Sequence, residues 1–378
     1  MKRFFSIILL FFLCVSGFCQ TTSIPERLRI RIYAENSVSS ASVLASFGSY
    51  TLNGREIKRQ DKINISISEN KVQIAINEEV FGTFDTVRLC SEDLKCFFQI
   101  TPQGLKSRRY DNNLEITLAK DKKSLQFINI VTPDNYIAGV VQSEAGGASD
   151  NVEFFKVQAI CCRNYMMRNI NKHQHDGYNL CDCVNCQVYF SRANKEQVIE
   201  GAAKSNGEVI VDADGNIIET LFHSNSGGQT MNAKDVWKND IDYLKSVTDS
   251  FSIGQPNYTW EKEISEKEWL NYFKGKGIDV KDYNNKQELL NFSQDEGRKV
   301  KIFDIPLTQI RKDFKLKSTF FSVTPWGSNV KLKGKGYGHG VGMSQEGAAK
   351  MCEEGYEYWQ VIEHYYTGIK IKNLKTEK

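Results

Sequence analysis

A chain of 378 residues, 40% hydrophobic and 25% charged, is long enough to bury the cores of two domains. Its 49 Lys and Arg stand against 46 Asp and Glu, a formal net charge of +3 that falls to +1 without the N-terminal Lys2 and Arg3. So small a balance argues against nucleic acid as the main partner, and no segment beyond the N-terminus is apolar enough to span a bilayer.

In chain order, Lys2 and Arg3 precede a largely apolar run over 4–15 and then Ser16-Gly17, which reads as a secretory signal peptide over 1–19 with cleavage near Cys19. The run is too short for a transmembrane anchor, so the expected location is periplasmic or extracellular, with lipid attachment through Cys19 as the alternative. Export places the remaining cysteines in an oxidising compartment, where a disulfide between Cys90 and Cys96 across a polar turn is the plain expectation. From 25 to 128, short alternating stretches such as Leu28-Arg29-Ile30-Arg31-Ile32 and Val72-Gln73-Ile74-Ala75-Ile76 predict antiparallel β structure.

At Thr132-Pro133 the pattern changes. A short helical segment from Asp134 delivers Gln142-Ser143-Glu144, and a clear helix follows, with Ser149 or Asp150 as its cap and Val152, Phe155, Ala159, Ile160 and Cys162 at helical spacing. Strands return at 209–211 and 217–223. The charged stretch 254–298 reads as a variable surface insertion containing a helix from Glu266 to Lys274 capped by Ser265. Near the end, Gly334, Gly336, Gly338, Gly340 and Gly342 alternate with larger residues. In an extended chain this clears one face for close approach and projects Tyr337 and His339 from the other. Ser344 then caps a helix stopped by Gly355, and a last helix over 357–366 ends at Gly368.

Four blocks carry a resemblance: Val140-Val141-Gln142-Ser143-Glu144; Lys156-Val157-Gln158-Ala159-Ile160-Cys161-Cys162-Arg163-Asn164-Tyr165; His223-Ser224-Asn225-Ser226-Gly227-Gly228-Gln229-Thr230; and Gly336-Tyr337-Gly338-His339-Gly340-Val341-Gly342-Met343-Ser344-Gln345. In this order, with Asp235-Val236-Trp237 and Tyr243-Leu244-Lys245-Ser246-Val247 between them, they resemble the SpoIID/LytB family of stage II sporulation protein D and amidase enhancers over 129–371. The resemblance implies core segments at 129–253 and 299–372. It also implies cleavage of peptide-stripped peptidoglycan glycan strands with formation of 1,6-anhydro ends, Glu144 serving as acid and base in turn. An isolated Glu is more often a cap or an ion-pair partner; the family blocks favour catalysis.

Around Glu144 the expected substrate-binding residues are Arg163, Tyr189, Ser226, Gly227, Gly228, Tyr337, His339 and Gln345. Arg163 could pair a sugar carboxylate, Glu144 or a backbone carbonyl; His339 could touch substrate or hold a turn; Ser226-Gly227-Gly228 could offer amides to a ligand or form a tight turn. Ser226 is not set in a nucleophile elbow. His173, His175, Cys181, Cys183 and Cys186 crowd together at a density suited to zinc, with a disulfide as the competing use. Residue by residue, the resemblance assigns the metal to His175, Cys181 and Cys186 and gives it a site-shaping role. It also implies an amidase as a second partner. A non-catalytic wall-binding enhancer and a zinc hydrolase are the rival functions. The expected fold class is α+β, an N-terminal antiparallel β-rich region joined to a mixed core in which Glu144 meets the Ser226 and His339 loops.

Overall fold

The computed structural model describes residues 23–237 and 239–376, so the expected signal peptide over 1–19, Cys19 included, lies outside the described residues. The fold is α+β. Among the described residues, the alternating N-terminal stretches form two sheets. A seven-stranded one runs Leu180–Cys181, Leu28–Ile32, Leu125–Val131, Asn113–Leu118, Thr86–Ser91, Tyr50–Leu52, Arg55–Ile57. A six-stranded one runs Arg108–Asp111, Phe97–Pro102, Ala41–Phe47, Lys62–Ser68, Lys71–Ile76, Glu79–Phe84. Pairing is antiparallel except where Leu180–Cys181 joins Leu28–Ile32 in parallel. Strands such as Leu28–Ile32 alternate buried and half-buried residues because successive side chains point to opposite faces. Cys90 and Cys96 remain free thiols rather than a disulfide: Cys96 turns inward beneath the Ser49 carbonyl.

The buried faces of both sheets share one hydrophobic core with the helices that follow. Helix α1 (Pro133–Ala145) starts where Thr132 Oγ1 accepts from the Asn135 N–H at 3.3 Å, with Pro133 at a position that needs no N–H donor. Helix α2 (Val152–Asn169) is capped by Asn151, whose side chain accepts from Glu153 N and Phe154 N; neither Ser149 nor Asp150 caps it. Helix α3 (Glu196–Lys204) lies tightly against α2, since a Cβ on Gly201 would fall 2.6 Å from Phe155 Cβ. A boundary at 128/129 would cut the strand Leu125–Val131 in half. The β-rich region and the first part of the core are therefore one packed body.

Residues 254–298, expected as a variable surface insertion, take part in a second core. Trp260, Trp269, Phe273 and Leu289 close a second hydrophobic core with Ile302, Phe321, Val330 and Leu332. This unit is built on the antiparallel strands Thr259–Ser265, Asn329–Lys335 and Phe320–Trp326. Ser265 caps the helix Glu266–Gly275 as its sequence indicates, and the Trp269 indole donates to the Leu289 carbonyl at 2.9 Å.

The glycine run is not extended. Gly336, Gly338, Gly340 and Gly342 have φ of 79°, 122°, 86° and 69°, so the chain coils through conformations that L side chains resist. Close backbone approach does follow: a Cβ at Gly336 would lie 2.6 Å from the Asn225 carbonyl oxygen, and one at Gly342 2.1 Å from that of Leu221. The run thereby binds the third and fourth blocks together, with Phe222–His223 parallel to Met343–Ser344 and Asn225 bridged to Tyr337.

Candidate functional site

Glu144 is the penultimate residue of α1 and stands on the wall of a polar cleft of about 400 Å³. The lining comes from four places in the sequence: residues 142–148, Ser224, Gln255-Pro256-Asn257, and Gln345, Glu346, Ala349, Lys350 and Glu353 of the C-terminal helix region. The segment after the cysteine cluster is sewn to the last turn of α1. Val188 N–H donates to Glu144 Oε1 at 2.7 Å, Phe190 N–H to Ser143 Oγ at 3.0 Å, and Asn194 N–H to Gln142 Oε1 at 2.6 Å. Burial pushes the Glu144 carboxyl up, and the Val188 N–H pulls it back only in part. Its place at a helix C-terminus, where unpaired carbonyls gather partial negative charge, works in the same direction as burial. A carboxyl so placed is protonated further toward neutral pH than an exposed one, which suits proton donation.

The other expected site residues divide sharply. Gln345 reaches the cleft, its Nε2 donating to the Glu144 carbonyl oxygen and to Gln158 Oε1, each at 3.4 Å. Arg163 is fully buried below it and clamps the turn after α3, donating to the carbonyls of Ser205 at 2.7 Å and Glu208 at 3.1 Å; of its three readings, the carbonyl one holds. Tyr189 is a core residue, its ring 5.2 Å from Tyr110 and 5.1 Å from Tyr136 and its hydroxyl on Asn129 Oδ1. Ser226 is buried and donates to Asp249 at 2.7 Å. The Gly227 and Gly228 amides are spent on Asn225 Oδ1 and on Ser226 and Ser252 Oγ, so this is a tight turn rather than a ligand cradle.

His339 also holds a turn. Its Nε2 faces the Phe222 carbonyl at 3.0 Å while Nδ1 accepts from Val341 N–H at 3.1 Å, and burial lowers its pKa to about 4, leaving it neutral. Tyr337 is exposed, but neither it nor His339 lines the cleft. The third block thus contributes Ser224 and the fourth block Gln345, while the Ser226 and His339 loops brace them from behind. Among the partners of the site that escaped the sequence reading are the Val188 amide, Asn257, Glu346 and Lys350. A backbone N–H leaves no mark in a sequence; Glu346 stands directly after the last residue of the fourth block.

Among the described residues, the donor atoms of His173, Cys181 and Cys186 lie within 4.8 Å of one another. The imidazole is that of His173 and not His175. His173 stacks on Tyr178 at 4.9 Å with its Nε2 3.4 Å from Cys186 Sγ, whereas His175 is exposed on the short 3-10 turn Gln174–Asp176. Cys183 Sγ adds a neighbour 3.2 Å from Cys181 Sγ. Two soft thiols and an imidazole this close suit a borderline-soft cation, and the Cys186 thiol is drawn down to about 7, chiefly by its hydrogen bond with Cys181.

Comparison with known proteins supports the resemblance carried by these residues. A family model described as stage II sporulation protein matches residues 121–212, which hold α1, α2, Glu144 and the cysteine cluster. Stage II sporulation protein D of Bacillus amyloliquefaciens is 28% identical over 262 residues, 63% of this chain and 73% of that one. The protein of the same name from Bacillus subtilis (strain 168) is 28% identical over 273 residues, 65% and 76% of the two chains. Over these residues the chain is similar to the SpoIID/LytB family. The amidase enhancer of Bacillus subtilis (strain 168) is 23% identical over 391 aligned positions, covering 89% of this chain and 52% of that relative. The chain therefore resembles sporulation protein D and the amidase enhancer at once. Among its described residues no helix is long and apolar enough to cross a membrane.

Proposed function

We propose that this chain is an exported cell-wall protein that cleaves peptide-stripped peptidoglycan glycan strands as a lytic transglycosylase, with Glu144 as its acid and base. The observation that carries this reading is one carboxyl group, raised in pKa by burial, with one oxygen fixed by Val188 N–H on the wall of a polar cleft. Protonated, Glu144 donates to the glycosidic oxygen as the bond to C1 breaks. The resulting carboxylate takes the proton from the C6 hydroxyl of the muramyl residue as that oxygen closes on C1, which restores the acid and releases a 1,6-anhydro end. The cycle balances with a single carboxyl and no water, so it needs no second carboxylate at a hydrolase spacing.

Zinc is assigned to His173, Cys181 and Cys186, where it would supply structural cross-linking. Cys186 is two residues before Val188, so a tethered cluster fixes the amide that holds Glu144.

Digestion of peptide-stripped strands, read by mass spectrometry for the water loss that marks an anhydro end, tests the reading: products are expected from the wild type and not from Glu144→Gln. Products from both would remove Glu144 from the chemistry. Bound glycan without products from either would favour the second reading, supported by the similarity to an amidase enhancer over most of this chain, in which the protein binds wall and assists an amidase.

A further inference from the structure

The helix Gln345–Glu353 turns one face to the cleft, since Glu346, Ala349, Lys350 and Glu353 follow the spacing i, i+3, i+4, i+7 and all four line it. Glu346 is fixed there. Its Oε2 accepts from Asn225 Nδ2 at 2.7 Å and from Asn257 N–H at 3.1 Å, and its Oε1 accepts from Asn257 Nδ2 at 2.6 Å. Among the residues lining the cleft, Lys350 is the one cation, set against Glu144, Glu346 and Glu353. Its ion pair is with Glu354 at 3.4 Å, and both side chains are more than a third exposed. A pair of that kind is worth little and exchanges readily for another carboxylate.

A glycan strand stripped of stem peptides carries a free lactyl carboxylate on each muramyl residue; an attached peptide converts that group into an amide. A polyanion entering a cleft with three acidic side chains is repelled wherever its own carboxylates meet them, and attracted at one point. Uncharged sugars, with hydroxyl and acetamido N–H donors, suit the fixed acceptor Glu346 one helical turn away. We propose that Lys350 is the specificity-determining residue that pairs with the free lactyl carboxylate, and that Glu346 accepts from the adjacent uncharged sugar. This rests on the glycan reading above and adds the residue that distinguishes a stripped strand from a peptide-bearing one.

The test measures equilibrium binding by the Glu144→Gln protein, in which turnover is absent, to two probes: peptide-stripped strands, and the same strands with their carboxylates converted to N-methylamides. Adding Lys350→Gln should weaken binding to the natural strands by roughly fivefold to tenfold and leave binding to the amidated strands unchanged. Amidation alone should cost a similar factor, and Lys350→Arg should restore affinity. Lys350 is partly exposed, so an unchanged unfolding midpoint is expected to accompany these effects. Equal affinity for both probes, or an equal loss on both with Lys350→Gln, overturns the assignment while leaving the glycan reading standing. Binding to neither probe removes the glycan reading and this proposal with it.

Discussion

Gly139→Ala tests how the fold holds Glu144 in place. Gly139 lies inside α1, five residues before Glu144, and a Cβ there would fall 2.4 Å from Tyr189 Cε2 and 2.7 Å from the Ser191 carbonyl oxygen. Neither neighbour gives way easily. The Tyr189 ring is wedged between Tyr110 and Tyr136, and its hydroxyl donates to Asn129 at 3.0 Å. In an open helix the substitution would gain up to about 1 kcal/mol, because Ala restricts the unfolded chain more than Gly does. Here the overlap costs about 1–3 kcal/mol, and with the full helical gain set against it the net expectation is a loss of up to about 2 kcal/mol. The displaced segment is the one that carries the Val188 amide, so glycan cleavage should fall by more than the loss of folded protein accounts for. Urea unfolding gives the first quantity, and digestion of stripped strands at matched folded concentration gives the second. Gly275→Ala is the control: no atom lies within 4 Å of its added Cβ, so it should be neutral or mildly stabilising. A Gly139→Ala protein as stable as the Gly275→Ala one, with full activity, would refute the packing argument.

Because burial raises the Glu144 carboxyl, folding favours its neutral form; the stability this contributes is present below the unfolded value of about 4.3 and is lost as pH rises through the folded one. The Glu144→Gln protein should therefore gain stability relative to wild type as pH rises above about 4, read by urea unfolding at a series of pH values, and a difference that does not change with pH would contradict the shift. Arg163→Met should cost roughly 2–4 kcal/mol in urea unfolding, by removing the guanidinium's hydrogen bonds to the Ser205 and Glu208 carbonyls and the Ser205 hydroxyl inside the core, yet leave the KM of the folded protein unchanged; a raised KM with intact stability would return Arg163 to the substrate. His173→Ala should lower the zinc retained through dialysis, measured by elemental analysis, while His175→Ala should not, and the opposite result would move the site to the exposed histidine.

Much of this protein is legible in the linear chain because the signals are local. Alternation fixes the antiparallel strands from Leu28 onward, Thr132-Pro133 and Ser344 open helices by satisfying the first backbone amides, and Ser265 does the same for the helix Glu266–Gly275. The residues of the four blocks indicate the family, and the family points to Glu144. Local signals could not choose between His173 and His175, two residues apart in one turn, since that depends on which ring stacks on Tyr178 and faces Cys186. Nor could they separate Gln345, which enters the cleft, from Ser226 and His339, which brace it: all are polar residues in glycine-rich blocks, and only long-range packing decides which side chains are buried by internal hydrogen bonds. The second core follows the same rule, because Trp260 and Phe321, far apart in sequence, bring their rings to 6.2 Å only when the chain closes on itself. Sequence determined the elements and singled out the Glu144 carboxyl as the candidate; tertiary structure decided its surroundings, because burial, a backbone donor and a facing helix are supplied by residues distant along the chain.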